Sequence, residues 1–385
     1  MQVASPPLQE SKTDRPTASK RLPEIDWFRA LAICYMGLTH AEFHMDNPPS
    51  WAARLAMGGI YFCYVGFLMS FGMAQAIIRY RGLLLRPEGK ARFLRQAGMI
   101  LLGYYLIAFG GNYAMLAGLP RSQLAPTILH MLLLLNVPKA GDFFLSFLLY
   151  LLLILAFPNV VSFIATRPGR ALLGAMGLNI LGNLLARHAP TAFSGWWKMV
   201  FGAQPSARTF PIFGYAPLLV FSIWLGWSYV NSKNRRRWVG IALLAALLVA
   251  IGGNLLCATA SQEPWHRLAA LTPVPGLLYL LSASAVGTAV FCGVSFLRML
   301  LPSLNASVLG RFLNFVGRHS FWIIVWQYLW IGFLMDALTL SITSSVATAS
   351  YLLSIVFLPP LSLYLSQKLE AWYQSSSPNL IGRSS

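Results

Sequence analysis

The feature that most constrains this chain is a series of long apolar runs, each close to the length that a helix needs to cross a lipid bilayer. Such a helix needs about 20 mainly apolar residues. Hydrophobic residues make up 57% of the 385 residues and charged residues only 10%, which is too apolar for a soluble fold of this size. The sequence therefore predicts an all-α, polytopic membrane bundle of about ten transmembrane helices. The predicted spans are 27–45, 54–78, 93–117, 143–165, 171–187, 211–230, 239–257, 273–300, 312–335 and 345–367.

The same runs divide the chain into three parts. Residues 1–26 form an N-terminal tail, residues 27–367 an integral-membrane domain and residues 368–385 a C-terminal tail. A further apolar stretch covers 126–136, but it is too short to cross a bilayer unaided. It is interpreted as a re-entrant or surface element.

The excess of basic residues predicts the orientation of the bundle. The chain has 29 Lys and Arg residues against 11 Asp and Glu, a formal net charge of +18. Basic residues of membrane proteins collect in cytoplasmic loops. With ten spans and a cytoplasmic N-terminus, 21 of the 29 fall on the cytoplasmic side and seven on the other, so both termini are predicted to be cytoplasmic. No basic run alternates with stacking aromatic residues, and nucleic-acid binding is not expected.

The first predicted span carries most of the ionisable residues that a bilayer would normally reject. Arg29 and His40 are eleven residues apart, which corresponds to roughly 16 Å and three helical turns, so both lie on one face. Ionisable residues inside a span are candidates for function. Two structural alternatives stay open: Arg29 extends to the cytoplasmic interface, and His40 is a buried histidine bonded to a neighbouring carbonyl. His40 and His44 have metal-ligand spacing, but the chain lacks the accompanying zincin glutamate, and no metal is expected.

A second concentration of charge opens the third predicted span. Arg92 and Arg95 are three residues apart and share a helix face at the cytoplasmic boundary. Two guanidinium groups near the positive end of a helix suit a polyphosphate. The alternative is that these arginines serve only to orient the span.

The two arginine motifs together resemble those of membrane acyltransferase family 3. They are Arg29-X10-His40 in the first span and Arg92-X-X-Arg95 in the third. The segments EIDWFRALAI at 24–33, YVGFLM at 64–69, HMLLL at 130–134 and GRHSFWIIVWQ at 317–327 are also similar to segments of that family. The segments FPIFGY at 210–215 and TPVPGLLY at 272–279 resemble the heparan-glucosaminide acetyltransferases. The resemblance covers most of residues 21–340.

This resemblance implies a membrane-embedded O-acyltransferase with ten helices. Such an enzyme moves an acyl group, commonly acetyl or succinyl, from cytoplasmic acyl-CoA to a hydroxyl of an extracytoplasmic or lipid-linked carbohydrate. It also implies a multi-pass protein of a bacterial plasma membrane, surrounded by lipids. The chain departs from the family where a late histidine is replaced by Gln327, and a catalytic role is not expected there.

The resemblance and the chemistry of the residues together assign roles. Arg29, Arg92 and Arg95 are expected to hold the phosphates of acyl-CoA, which cannot enter hydrocarbon. His40 is expected to act as the general base on the sugar hydroxyl, although an acyl-histidine intermediate stays open. The residues with possible supporting roles are Asp26 and Glu42.

Two other classes of function stay open at this stage. One is a transporter or flippase of a glycan or an acyl-bearing solute, which also needs polar stripes inside the membrane. The other is a non-catalytic scaffold in a polysaccharide assembly complex. In the enzyme interpretation, the choice of acceptor falls to the outside loops, chiefly 188–210.

Overall fold

The computed structural model describes residues 21–42, 45, 48–80, 87–135, 137, 141–188, 194–202, 210–260, 275–338 and 345–376. Every regular element within these ranges is helical and none is a strand, which confirms the all-α class. The α-helices are α1 Pro23–Glu42, α2 Ser50–Tyr80, α3 Pro87–Tyr105, α4 Tyr113–Ala117, α5 Arg121–Leu132, α6 Gly141–Ala156, α7 Asn159–Thr166, α8 Pro168–Leu185, α9 Ser194–Val200, α10 Ile212–Asn231, α11 Arg235–Ala260, α12 Leu277–Leu300, α13 Val308–Arg318, α14 Ser320–Leu338 and α15 Ser345–Ser376. A π-helical stretch, Leu106–Gly110, extends α3.

Several helices are long and apolar enough to cross a bilayer, which makes the chain a multi-pass membrane protein. In the described part there are four, or five if α6 and α7 form one broken span. The predicted number of ten spans and the cytoplasmic position of the termini stay predictions. α1 is not among the four, and its acidic and basic residues lower its hydropathy. The four helices are Pro87–Gly110, Ile212–Asn231, Leu277–Leu300 and Ser345–Ala371.

Two predicted spans are not single straight helices. The span predicted over 143–165 is bent by 91° between α6 and α7. The break contains Pro158, which lacks a backbone N–H and restricts the residue before it. The span predicted over 312–335 divides at His319 into the short helix α13 and the apolar helix α14.

The stretch predicted as a re-entrant or surface element forms most of α5, a 12-residue helix that ends at Leu132. The predicted domain limits fall inside helices, because α1 already begins at Pro23 and α15 continues past residue 367 to Ser376. Residues 1–20 and 377–385 lie outside the described residues.

α1 lies at the centre of the packing, where it contacts α2, α12, α13, α14 and α15. Two of its apolar side chains are fully enclosed: Phe28 and Ile33 have no exposed surface. The ring of Phe28 makes edge contacts with Phe62 of α2 and Phe291 of α12, with centroids 5.7 and 5.8 Å apart. Such edge-to-face pairs stabilise a core beyond the area that they bury.

Small residues allow the helices around α1 to approach closely. A Cβ atom at Gly66 of α2 would contact Ala32 at 3.1 Å, and one at Gly226 of α10 would overlap Met73 of α2. Membrane helices commonly carry small residues where they cross, because close approach of the backbones increases van der Waals packing. Lipid provides no hydrophobic force between helices. Glycines therefore set the distance of α2 from α1 and from α10.

Candidate functional site

The arginine pair predicted to bind phosphate lines a cavity. Arg92, Arg95, Gln96 and Met99 recur at positions i, i+3, i+4 and i+7, so they present one face of α3 to it. The other wall comes from the junction of α13 and α14. The cavity has a volume of about 370 Å³. Its remaining lining residues are Ile100, Arg318, His319, Phe321 and Trp322.

The position of α13 explains why Arg318 and His319 reach this cavity. α13 is amphipathic: Leu313 and Val316 are buried, and the hydroxyl of Ser307 caps its start by accepting the N–H of Gly310. Near its end, Gly317 lies directly against the backbone carbonyl of Asp26 in α1. This contact holds the end of the helix, and the next two residues line the cavity.

The cavity is basic. None of its lining residues is acidic, and within the described residues Arg92, Arg95 and Arg318 have no carboxylate oxygen within 4.0 Å. His319 precedes the apolar stretch of α14, and its Nδ1 lies 3.4 Å from the amide nitrogen of Gln367. Burial, together with the guanidinium groups of Arg21 and Arg318, lowers the pKa of His319 below its ordinary value of 6.5. These surroundings therefore favour a neutral imidazole.

Arg29 does not line this cavity. Its Nε donates a hydrogen bond of 3.1 Å to the hydroxyl of Ser70 in α2, and the buried carboxylate of Asp26, one turn earlier, acts on it electrostatically. The predicted association of Arg29 with Arg92 and Arg95 is therefore not seen in this cavity. Arg318 and His319 line the cavity together with Arg92 and Arg95 instead.

His40 lies near the opposite end of α1 and contacts Tyr328 of α14. The Tyr328 hydroxyl lies 3.2 Å from Nε2 of His40, and the two ring centroids are 4.9 Å apart. The side chain of Asp142, at the start of α6, is buried and close enough to act electrostatically on the Tyr328 hydroxyl. Its Oδ1 accepts the backbone N–H of Phe143 at 2.8 Å. The imidazole therefore contacts a tyrosine of α14 that itself lies within electrostatic range of a buried carboxylate of α6.

Two further polar residues are buried near His40. Glu42 follows it by two residues, which turns its side chain roughly 200° around the helix from the His40 face, and it is 9% exposed. Gln327, in the place of the late histidine, packs against Gly37, and its amide nitrogen lies 3.4 Å from the Ile33 carbonyl. This amide links α14 to α1, and no described residue bonds to its oxygen.

The cavity and His40 lie against the same helix, α14. Phe321 lines the cavity, and Tyr328 follows it by seven residues, which is two helical turns or about 10 Å on the same face. Neither His40 nor Tyr328 lines the cavity. Phe321 packs over Gly103 of α3 and against Phe144, with ring centroids 5.7 Å apart.

Some predicted features fall outside the described residues. These include His44 and, in the loop predicted over 188–210, residues 189–193 and 203–209. Of that loop, α9 is described, and the indole N–H of Trp197 donates to the Leu185 carbonyl at 3.0 Å. This bond anchors α9 to the end of α8.

Sequence reasoning missed Arg318, His319, Tyr328 and Asp142 as parts of the two sites. Arg318 and His319 were visible as a basic pair between Gly317 and Ser320, directly before an apolar span. Asp142 was visible as a single carboxylate at the start of an apolar run. Nothing in the local sequence of Tyr328 distinguishes it from the other aromatic residues of its helix.

No model of a known protein family matches this chain, and no match was found among curated proteins or among solved structures. The resemblance described above therefore rests on the residues of the chain itself.

Proposed function

We propose that this protein is a membrane-embedded acyltransferase. It transfers an acyl group from cytoplasmic acyl-CoA to a hydroxyl of an extracytoplasmic or lipid-linked carbohydrate. Arg92 and Arg95 hold phosphates of the donor, and His40 acts at the reacting centre. The choice of acetyl or succinyl as the acyl group, and of a carbohydrate as the acceptor, rests on the sequence resemblance.

The observation that carries the proposal is the arrangement along α14. A basic cavity of small-molecule size lies at its start, and the half-buried imidazole of His40 contacts the same helix two turns later. A donor with charged phosphates at one end and a reactive thioester at the end of a long neutral arm matches this separation of charge. To reach His40 the arm passes Phe321, whose side chain must turn aside.

The chemistry assigned to His40 is general base catalysis. A hydrogen bond donated by the Nε2–H of His40 to the Tyr328 hydroxyl favours the neutral tautomer in which the Nδ1 lone pair is free to act as the base. The imidazole takes the proton of the acceptor hydroxyl as that oxygen bonds to the acyl carbon. The carbon–sulfur bond then breaks, and the thiolate of CoA takes the proton back from the imidazolium.

The test is the substitution His40→Ala in the full chain. We expect acyl transfer to fall by about 10²–10⁴-fold, the usual contribution of a general base, with the affinity for CoA unchanged. Transfer is measured by mass spectrometry of surface glycans in cells that carry wild-type or variant protein. CoA affinity is measured by calorimetry on purified protein.

His130→Gln is the matched control, because His130 is an exposed histidine of α5 and does not line the cavity. It should retain full transfer. Wild-type transfer by His40→Ala would contradict the assigned role, and glycans that are identical with and without the protein would contradict the function.

The bend between α6 and α7 favours a transporter as the second candidate. Discontinuous helices often form the substrate site of transporters, and this pair is bent by 91° at Pro158. CoA binding distinguishes the two functions, because a transporter of another solute does not need to bind CoA. In such a transporter, the double substitution Arg92→Gln and Arg95→Gln would leave transport intact.

A further inference from the structure

Arg318 and His319 line the same cavity as Arg92 and Arg95, although more than 200 residues separate the two pairs in the chain. We propose that the four side chains form one phosphate site, and that binding of a phosphate dianion there takes up a proton on His319. The proposal rests on the proposed function, because it takes the dianion to be the 3′-phosphate of acyl-CoA.

The charge of the cavity is the first argument. Three arginines line it without an acidic lining residue, and none of them has a described carboxylate within 4.0 Å. Guanidinium groups bind phosphate through paired N–H donors. Like charges that face one cavity repel each other, and an anion with two charges relieves that repulsion.

The surroundings of His319 are the second argument. Among the described residues, the charged groups that act on it or share its cavity are basic: Arg318 beside it, Arg21 before α1, and Arg92 and Arg95 across the cavity. On α15, Gln367 is neutral, Lys368 places its ammonium over the ring of Tyr364, and Glu370, one turn after Gln367, carries an exposed carboxylate. The positive groups favour a neutral imidazole, whereas a bound dianion favours the imidazolium.

The apolar wall is the third argument, and it indicates the kind of phosphate compound. Phe321 and Trp322 line the cavity beside the four basic side chains. Aromatic rings next to a phosphate site suit a phosphate that is attached to a planar base. The phosphate of a nucleotide monoester also carries up to two charges, in contrast to the single charge of a phosphodiester lipid headgroup.

The experiment compares wild type with His319→Gln, using calorimetry on the full chain in nanodiscs of neutral lipid at pH 6.0 and 8.5. The ligands are CoA and 3′-dephospho-CoA. The imidazolium strengthens binding at low pH, and this gain is lost as pH rises through the pKa of His319 in the complex. We expect wild type to bind CoA about tenfold tighter than the variant at pH 6.0 and within about twofold at pH 8.5.

The ratio of the CoA affinities of wild type and His319→Gln does not depend on the ionisation of the phosphate itself, because that ionisation affects both proteins equally. With 3′-dephospho-CoA the ratio should stay near one at both pH values. Arg318→Gln should weaken CoA binding by about tenfold at both pH values. Arg311→Gln is the matched control, because it removes a positive charge from an exposed position of α13 that does not line the cavity.

Equal CoA affinities of wild type and His319→Gln at pH 6.0 would overturn this inference and leave the acyltransferase proposal standing. Failure of the wild type to bind CoA at either pH would overturn both. A repeat in nanodiscs that contain an anionic phospholipid tests the other source of phosphate. Displacement of CoA by that lipid in wild type, but not in Arg318→Gln, would assign the site to lipid headgroups and overturn the nucleotide assignment.

Discussion

At the scale of single residues, the two candidate sites differ in how their side chains are held. The arginines of the cavity are exposed, and water screens their charge. His40 instead contacts the hydroxyl of Tyr328 inside the bundle, where each hydrogen bond is stronger because the surroundings are less polar. Loss of one hydrogen-bonding atom should therefore affect His40 more than it affects an arginine of the cavity.

Tyr328→Phe tests that difference. Removal of the hydroxyl leaves the ring contact with His40 but loses the group that sets its tautomer, so we expect acyl transfer to fall by about tenfold, equivalent to one hydrogen bond of about 1.4 kcal/mol. CoA affinity should not change. The pH dependence of transfer should shift as well, because Nε2 loses a polar neighbour.

The control for this change is Tyr105→Phe, whose hydroxyl bonds instead to the Leu132 carbonyl of α5. Transfer at the wild-type rate by Tyr328→Phe, with an unchanged pH profile, would show that the hydroxyl has no part in the reaction.

At the scale of elements, the cavity depends on how closely α13 approaches α1. Gly317→Ala adds a Cβ atom where the backbone carbonyl of Asp26 already lies. Because backbone atoms cannot turn aside as a flexible side chain does, we expect a loss of about 1–3 kcal/mol of stability. The displaced helix end should also weaken CoA binding.

Gly98→Ala is the control for that substitution. Gly98 lies in α3 with nothing within 4 Å of an added Cβ, so stability should be unchanged or rise by up to about 1 kcal/mol through helix propensity. Thermal unfolding in detergent measures both variants. Equal unfolding temperatures for Gly317→Ala and wild type would mean that α13 moves away from α1 at no cost.

At the scale of the whole molecule, the basic cavity and the positive-inside pattern predict the same orientation. Residues 92–100 of α3 and the junction of α13 with α14 meet at one cavity. The count of basic residues assigned Arg92, Arg95 and Arg318 to the cytoplasmic side. That agreement is what a donor site for a cytoplasmic substrate requires.

Cysteine labelling in intact cells tests the orientation. Lys233→Cys, between α10 and α11, should react with a membrane-impermeant maleimide only after the cells are permeabilised. Ser122→Cys, in α5, should react in intact cells. The parent protein measures the background from native cysteines, and the reverse pattern of labelling would overturn the predicted topology.

Part of the candidate site was predictable because it depends on local rules. α1 runs unbroken from Pro23 to Glu42, so the shared face of Arg29 and His40 follows from helical spacing alone. The face that Arg92 and Arg95 present follows in the same way. The partners of these residues were not predictable, because Ser70, Tyr328 and Arg318 come from other helices.

By itself, the sequence determined that this chain is helical and lies in a membrane, because apolar runs of bilayer length must satisfy their backbone hydrogen bonds internally. It also determined where the charges stand along each helix. Only the tertiary structure decided that Arg318 and His319 join Arg92 and Arg95, that Arg29 turns to Ser70, and that the chain bends at Pro158. Such pairings depend on how side chains of distant segments pack, and no periodicity within one segment encodes its neighbour.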